Sequence, residues 1–172
     1  MIIKGSFFLL ISVLIFSCSS DEIKKDIDWN KKKSMELNRK LAQKEKMDIL
    51  MYLENHQKLE MNQSGSGLFY QIVKSNEQGL VAKPGLEASV RYKISFLNGD
   101  LCYETPKEEV SYFKIDHSDI ESGVQEGVKK MKKGERAIFI VPSHLAHGIT
   151  GDQNKIPPAT TLVIEIELID LY

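Results

Sequence analysis

The sequence predicts an α+β fold, in which an antiparallel β half-barrel wraps around one short helix and a charged helix precedes it. Three observations predict it. From Leu68 onward the apolar residues recur with period two, the mark of half-buried strands. One stretch, Ser122 to Lys133, breaks that rhythm with Val124, Val128 and Met131 at helical spacing. Ahead of both lies Asp21 to Gln63, with ten Lys/Arg, nine Asp/Glu and neither Pro nor Gly, a composition that suits a solvated helix. Strands that surround a single helix and close on a long last strand form a two-layer domain, and the residues from Gly67 onward suffice for one core.

The first element is a targeting segment. Lys4 precedes an apolar run, Phe7 to Phe16, and then Ser17-Cys18-Ser19-Ser20. The run is too short for a stable membrane span and has signal-peptide dimensions. A Cys directly after it resembles a lipobox, the cleavage site of bacterial lipoproteins. The expected organisation is a signal peptide at residues 1–17, a lipidated Cys18 with tether and charged helix at 18–63, and a folded domain at 64–172. With Cys18 acylated, Cys102 is left without a disulfide partner, and a small buried apolar side chain is its expected role.

Within the charged segment, Leu37, Leu41, Ile49, Leu50 and Leu53 form an imperfect stripe. Two readings stand open: a solvated helix with one apolar edge, or the pairing face of a homodimer. Ser64-Gly65-Ser66-Gly67 is expected to end the helix and act as a hinge. Strands are predicted at Leu68–Val73, at Ala88–Leu97 with Val90, Tyr92, Ile94 and Phe96 on one face, at Val110–Ile115, at Ala137–Val141 and at Thr161–Leu171. Leu162, Ile164, Ile166 and Leu168 form the inward face of the last. Asn98-Gly99 signals a hairpin turn. In the helix, Ser122 is the expected cap with Gln125 three residues on. Lys129, Lys130, Lys132 and Lys133 suit its final turns, and Gly134 ends it.

A formal charge of −1 over 172 residues gives no reason to expect a nucleic-acid partner. Ser143, His144 and His147 are close in sequence but lack a third group to make a triad. The four histidines show no HExxH-like spacing, so neither a metal nor another cofactor is expected.

The motifs that carry chemistry occur in a fixed order. They are Ser66-Gly-Leu-Phe-Tyr-Gln-Ile72, Val90-Arg-Tyr92, Asn98-Gly99, Gly123-Val-Gln-Glu-Gly127, Met131-Lys-Lys-Gly-Glu-Arg-Ala137, Leu145-Ala-His-Gly148, and Ile156-Pro-Pro158 before the last strand. In this order and at these spacings they resemble the FKBP-type peptidyl-prolyl isomerases over Ser66 to Asp170. The resemblance implies that the substrate is an X-Pro bond in another protein, accepted by an apolar cup. It places Tyr92, Ile120, Ile156 and Ile164 in the wall, Phe113 near the rim, and Val124 where the family has a Trp floor. Cys102 falls on a family Phe and Tyr103 on an Asp. A shift of one residue puts Tyr103 on the Phe and Glu104 on the Asp instead. His147 replaces a Tyr whose hydroxyl faces the substrate carbonyl, and its imidazole N–H keeps a donor there. Loss of aromatic surface at Val124 and Cys102 is expected to weaken proline docking by about 1–3 kcal/mol, at roughly 25 cal/mol per Å2.

The lipoprotein signal, charged helix and altered cup together look like the gliding-motility-associated isomerase lipoproteins of Bacteroidetes. The partners that this implies are proline-containing exported clients and, through the lipid, a membrane of the cell envelope. The outer membrane is favoured, with the domain facing periplasm or cell surface. A homodimer through the N-terminal helix would follow Mip-like members of the family. The rival reading is a catalytically weak binding module on the same fold.

Overall fold

The computed structural model describes residues 31–172. The predicted signal peptide and Cys18 lie outside the described residues. The chain runs α1 (Lys31–Asn55), β1 (Asn62–Gln63), β2 (Phe69–Lys74), β3 (Glu87–Phe96), β4 (Leu101–Glu104), β5 (Ser111–Lys114), α2 (Ser122–Val128), β6 (Arg136–Val141), a 3-10 turn at Ser143–Leu145, and β7 (Leu162–Leu171). Every strand pairing is antiparallel, in the order β1-β2-β6-β7-β3-β4, with β5 also on β3. The predicted α+β class is the observed one.

The long strand β3 organises the sheet. One edge pairs with β7 along its whole length, from Ala88↔Leu171 to Phe96↔Leu162. The other edge is shared, with β5 on Glu87–Val90 and β4 on Lys93–Ser95. Period-two patterning turns one face of these strands inward. Val90, Phe139, Val141, Leu162, Ile164, Ile166 and Leu168 are all buried in one cluster with Val124, Val128 and Met131. Helix α2 sits directly on that face because Gly123 and Gly127 lack side chains. A Cβ on Gly127 would lie 2.5 Å from the Phe139 ring, and one on Gly123 would lie 2.4 Å from Val141 Cγ1.

Two local expectations at α2 are corrected. Glu121, not Ser122, occupies the N-cap, and no side chain caps the helix. The Ser122 hydroxyl instead reaches the Leu145 carbonyl at 3.4 Å. Gln125 does not complete a capping box, because its amide bridges the Asp116 N–H and the Ser118 carbonyl. The helix also stops at Val128, so the lysines fall in the following turn rather than on its last turns.

The larger correction concerns α1. It does not stand clear of the domain behind a hinge. Ile49 is buried against Phe69, Ile140 and Val163, with Tyr52 and Leu53 alongside, on the sheet face opposite α2. Ile49 and Leu53 of the predicted stripe make this contact, whereas Leu37 and Leu50 are exposed. The Ser64–Gly67 segment forms the tight turn between β1 and β2, closed by Ser64 N–H to the Leu68 carbonyl and Gly67 N–H to the Ser64 carbonyl. The second half of α1 and β1 are therefore part of the same folded body as residues 64–172.

Candidate active site

The α2 face of the sheet opens between α2 and the β6–β7 loop into a cleft of about 390 Å3. Strand β3 contributes Val90, Tyr92 and Ile94, and β7 contributes Ile164 and Ile166. These are alternate residues of two paired strands, so their side chains share one face. Phe113 and Tyr112 come from β5, Tyr103 from β4, and Ile120, Glu121 and Val124 from the start of α2. His147 and Asp152 close the cleft from the β6–β7 loop.

Of the residues expected in the cup, Tyr92, Tyr103, Phe113, Ile120, Val124, His147 and Ile164 line this cleft. Two others do not. Cys102 is buried in the main core, at the bulge between Tyr103, which pairs with Ile94, and Leu101, which pairs with Ser95. Burial raises its thiol pKa, followed by the charge of Asp152. Ile156 is also core, and its N–H donates to Asp152 at 2.7 Å. Tyr103 pairs with Ile94 and faces the cleft, whereas Glu104 lies in a groove on the other side with Arg136 and Glu165.

The polar groups of the cleft are paired with one another. His147 Nε2 lies 2.9 Å from Glu121 Oε1. The donor that the sequence placed opposite a substrate carbonyl is thus engaged by a carboxylate. Tyr103 donates its hydroxyl to Asp152. Asp152 also accepts from the N–H groups of Asn154 at 2.9 Å and Ile156 at 2.7 Å. The Tyr103 hydroxyl, with these N–H groups and His147 behind it, holds the Asp152 carboxyl down to about 2. The same bond raises the Tyr103 phenol above its usual range. Lys155 lies 4.7 Å above the Tyr103 ring. Gly151 makes the loop possible. Its φ is +66°, and a Cβ there would meet the Ile156 carbonyl oxygen at 2.2 Å.

Glu121 and Asp152 were not legible as cleft residues from the sequence. Each is an isolated acid in a loop, and only its neighbour across the cleft reveals a role. Ser143 and His144 face elsewhere: the Ser143 hydroxyl donates to Glu45 at 2.9 Å, and His144 Nε2 contacts the Ser66 carbonyl at 3.0 Å.

An antiparallel sheet around one short helix, with an apolar cleft between the helix and the β6–β7 loop, defines the class. Residues 79–169 match the FKBP-type peptidyl-prolyl cis-trans isomerase family. The chain belongs to this family. It is similar to the FKBP-type isomerase FkpA of Buchnera aphidicola, 32% identical over 122 residues, covering 70% of this chain and 49% of that protein. FkpA of Escherichia coli K12 is 36% identical over 111 residues, covering 63% of this chain and 39% of the relative. The chain thus spans about half the length of these relatives or less. The crystal structure of Escherichia coli FkpA superposes with a TM-score of 0.65 at 28% identity, covering 80% of this chain and 63% of that one. A peptidyl-prolyl isomerase from Pseudomonas syringae shares the fold, with a TM-score of 0.63 at 23% identity, over 77% of this chain and 94% of its own.

Proposed function

We propose that this protein is a peptidyl-prolyl cis-trans isomerase of a bacterial cell envelope, anchored through lipid on Cys18 and acting on proline-containing exported proteins. The observation that carries the catalytic reading is the cleft itself. Tyr92, Val124, Ile164 and Ile166 give it an apolar floor, and family membership supplies the reaction class. The barrier to rotation is about 18–20 kcal/mol because the C–N bond has partial double-bond character. Water stabilises the planar, polar imide. An apolar floor stabilises it less and so favours the twisted form, whose carbonyl dipole is smaller. No nucleophile is required. Tyr92 and Ile164 hold the proline ring. His147 and Tyr103, already paired to Glu121 and Asp152, orient the rim rather than transfer protons.

The anchor assignment rests on the Lys4–Cys18 segment, and the gliding-motility assignment on that segment together with the charged helix and the altered cup. Among the described residues no helix is long and apolar enough to cross a membrane. A second reading, a proline-binding module with little turnover, is favoured by one observation: Val124 supplies a small floor in place of a large aromatic.

The deciding experiment is isomerase activity of the full chain on a series of X-Pro peptides. Turnover that Tyr92→Ala abolishes supports the catalytic reading, whereas peptide binding without turnover selects the module. Cys18→Ser tests the anchor separately, because stable anchoring needs the added acyl chains. A variant that still sediments with membranes removes the lipid assignment.

A further inference from the structure

We infer that Glu45 of α1 is a positioning residue for the active-site loop, so that the N-terminal helix is a working part of the catalytic unit. This rests on the isomerase reading above, but the geometry is independent of it. The Glu45 carboxylate, one turn before Ile49 on α1, is buried. It accepts three hydrogen bonds, from the Ser143 N–H at 2.8 Å, the Ser143 hydroxyl at 2.9 Å and the Thr161 hydroxyl at 3.0 Å. Ser143 and Thr161 are themselves buried, and they are the two ends of the β6–β7 loop that carries His147 and Asp152. One side chain from a distant helix therefore pins both feet of the loop that closes the cleft.

The pin reaches the cleft through few bonds. The Ser143 carbonyl accepts from the N–H groups of Ala146 at 3.0 Å and Gly148 at 2.7 Å, which fixes the turn bearing His147. The Gly148 carbonyl then accepts from Ala159 N–H at 2.8 Å, which ties that turn to the returning strand. On the other foot, Thr161 stands three residues before Ile164 in the cleft floor. A carboxylate is suited to this task. It offers several acceptor sites and no donor, so it serves the backbone N–H and both hydroxyls together. A buried carboxylate is costly unless such partners are supplied, so its presence in an otherwise apolar contact calls for a role. Holding the loop in its closed geometry supplies orientation before substrate arrives.

The test uses the full chain in three forms: unchanged, Glu45→Ala, and Ile49→Ala. Ile49 is one turn further along α1 and packs on Phe69, Ile140 and Val163, away from the loop feet. At a temperature where all three are folded, Glu45→Ala is expected to lower kcat/KM on an X-Pro peptide at least tenfold. It should also speed amide exchange of Gly148 at least tenfold and shift the His147 ring resonances. Ile49→Ala should leave all three readouts within about twofold. If Glu45→Ala does not fold, Thr161→Val removes one foot and Ser143→Ala removes the hydroxyl bond at the other, leaving its N–H bond, and both should show the same signs at smaller size. Unchanged Gly148 exchange in a folded Glu45→Ala chain, or equal changes in Ile49→Ala, overturns the inference. An inactive unchanged chain overturns the isomerase reading instead, and Gly148 exchange still decides the role of Glu45.

Discussion

The two faces of the sheet solve the same packing problem in different ways. On one, α2 lies so close that glycines replace side chains at the contact, and the remaining gap becomes the cleft. On the other, α1 contacts the sheet through Ile49, Tyr52 and Leu53 and adds a buried carboxylate. Strands β6 and β7 serve both faces: Phe139 and Ile164 point to α2, Ile140 and Val163 to α1. The difference teaches that the charged helix is not an appendage. It covers apolar surface that the isolated domain would expose, and through Glu45 it reaches the loop that shapes the opposite face.

The largest expected effect tests whether α1 is integral. Ile49 is fully buried, so Ile49→Ala should lower stability by about 2–5 kcal/mol through lost transfer energy and the cavity left behind. Denaturant melts give the value directly. If α1 were a loosely associated spacer, the change would stay within about 0.5 kcal/mol, as for surface positions.

A smaller effect is expected on the α2 face. Gly127→Ala places a methyl group 2.5 Å from the Phe139 ring, which is itself fully buried and has little room to yield. Overpacking of this kind costs about 1–3 kcal/mol. Because the displaced helix carries Val124 and Glu121 into the cleft, peptide affinity should fall with stability. The Ile49→Ala chain, by contrast, should lose stability with affinity kept. Calorimetry of one proline peptide against both variants sharpens the contrast between the faces.

Legibility followed the same division. The α2 face was readable because its strands alternate cleanly and its turns carry Gly at fixed places. It was the family resemblance that put Tyr92, Val124 and Ile164 in the cup, and all three line the cleft. The α1 face was not, for a physical reason. Its apolar contact is made by Ile49, Tyr52 and Leu53; Ile49 and Leu53 stood on the predicted stripe, but a stripe does not say what covers it, and hydrophobic periodicity counts the buried Glu45 as solvent-facing. Strands β6 and β7 hid the second face as well, because Ile138-Phe139-Ile140-Val141 and Leu162-Val163-Ile164 are continuous apolar runs. Such runs signal two-sided burial without naming what covers the second side. The register of Cys102 and Tyr103 stayed open in the sequence, because Cys102 is the extra residue of a bulge, between Tyr103 opposite Ile94 and Leu101 opposite Ser95, and a bulge breaks the two-residue period. Ile156 is buried in the same apolar cluster as Val124 and Ile164, and its N–H donates to Asp152.

The smallest expected effect compares the two carboxylates that hold the same loop. Asp152 accepts three bonds at the mouth of the cleft, as Glu45 does at its feet, but Asp152 is bound to a titratable partner. Its folded pKa, about 2, lies below the ordinary 3.8, so the unfolded chain takes up a proton first as pH falls. Its contribution is therefore fully present above pH 3.8 and is lost as pH falls through about 2. Tyr103 gives the mirror limb. Its pKa is raised above 10.0, so the unfolded chain loses its proton first, and the contribution present below pH 10.0 disappears as pH rises through the folded value. Asp152→Asn removes the group that titrates at the acid end and the carboxylate acceptor that raises Tyr103 at the alkaline end. Stability against pH should then be flatter at both ends and nearly unchanged at neutrality relative to its own plateau. Equilibrium melts from pH 2 to 11 measure it. An acid limb that persists in Asp152→Asn would assign that limb to other carboxylates, and an alkaline limb that persists would show that Tyr103 does not depend on Asp152.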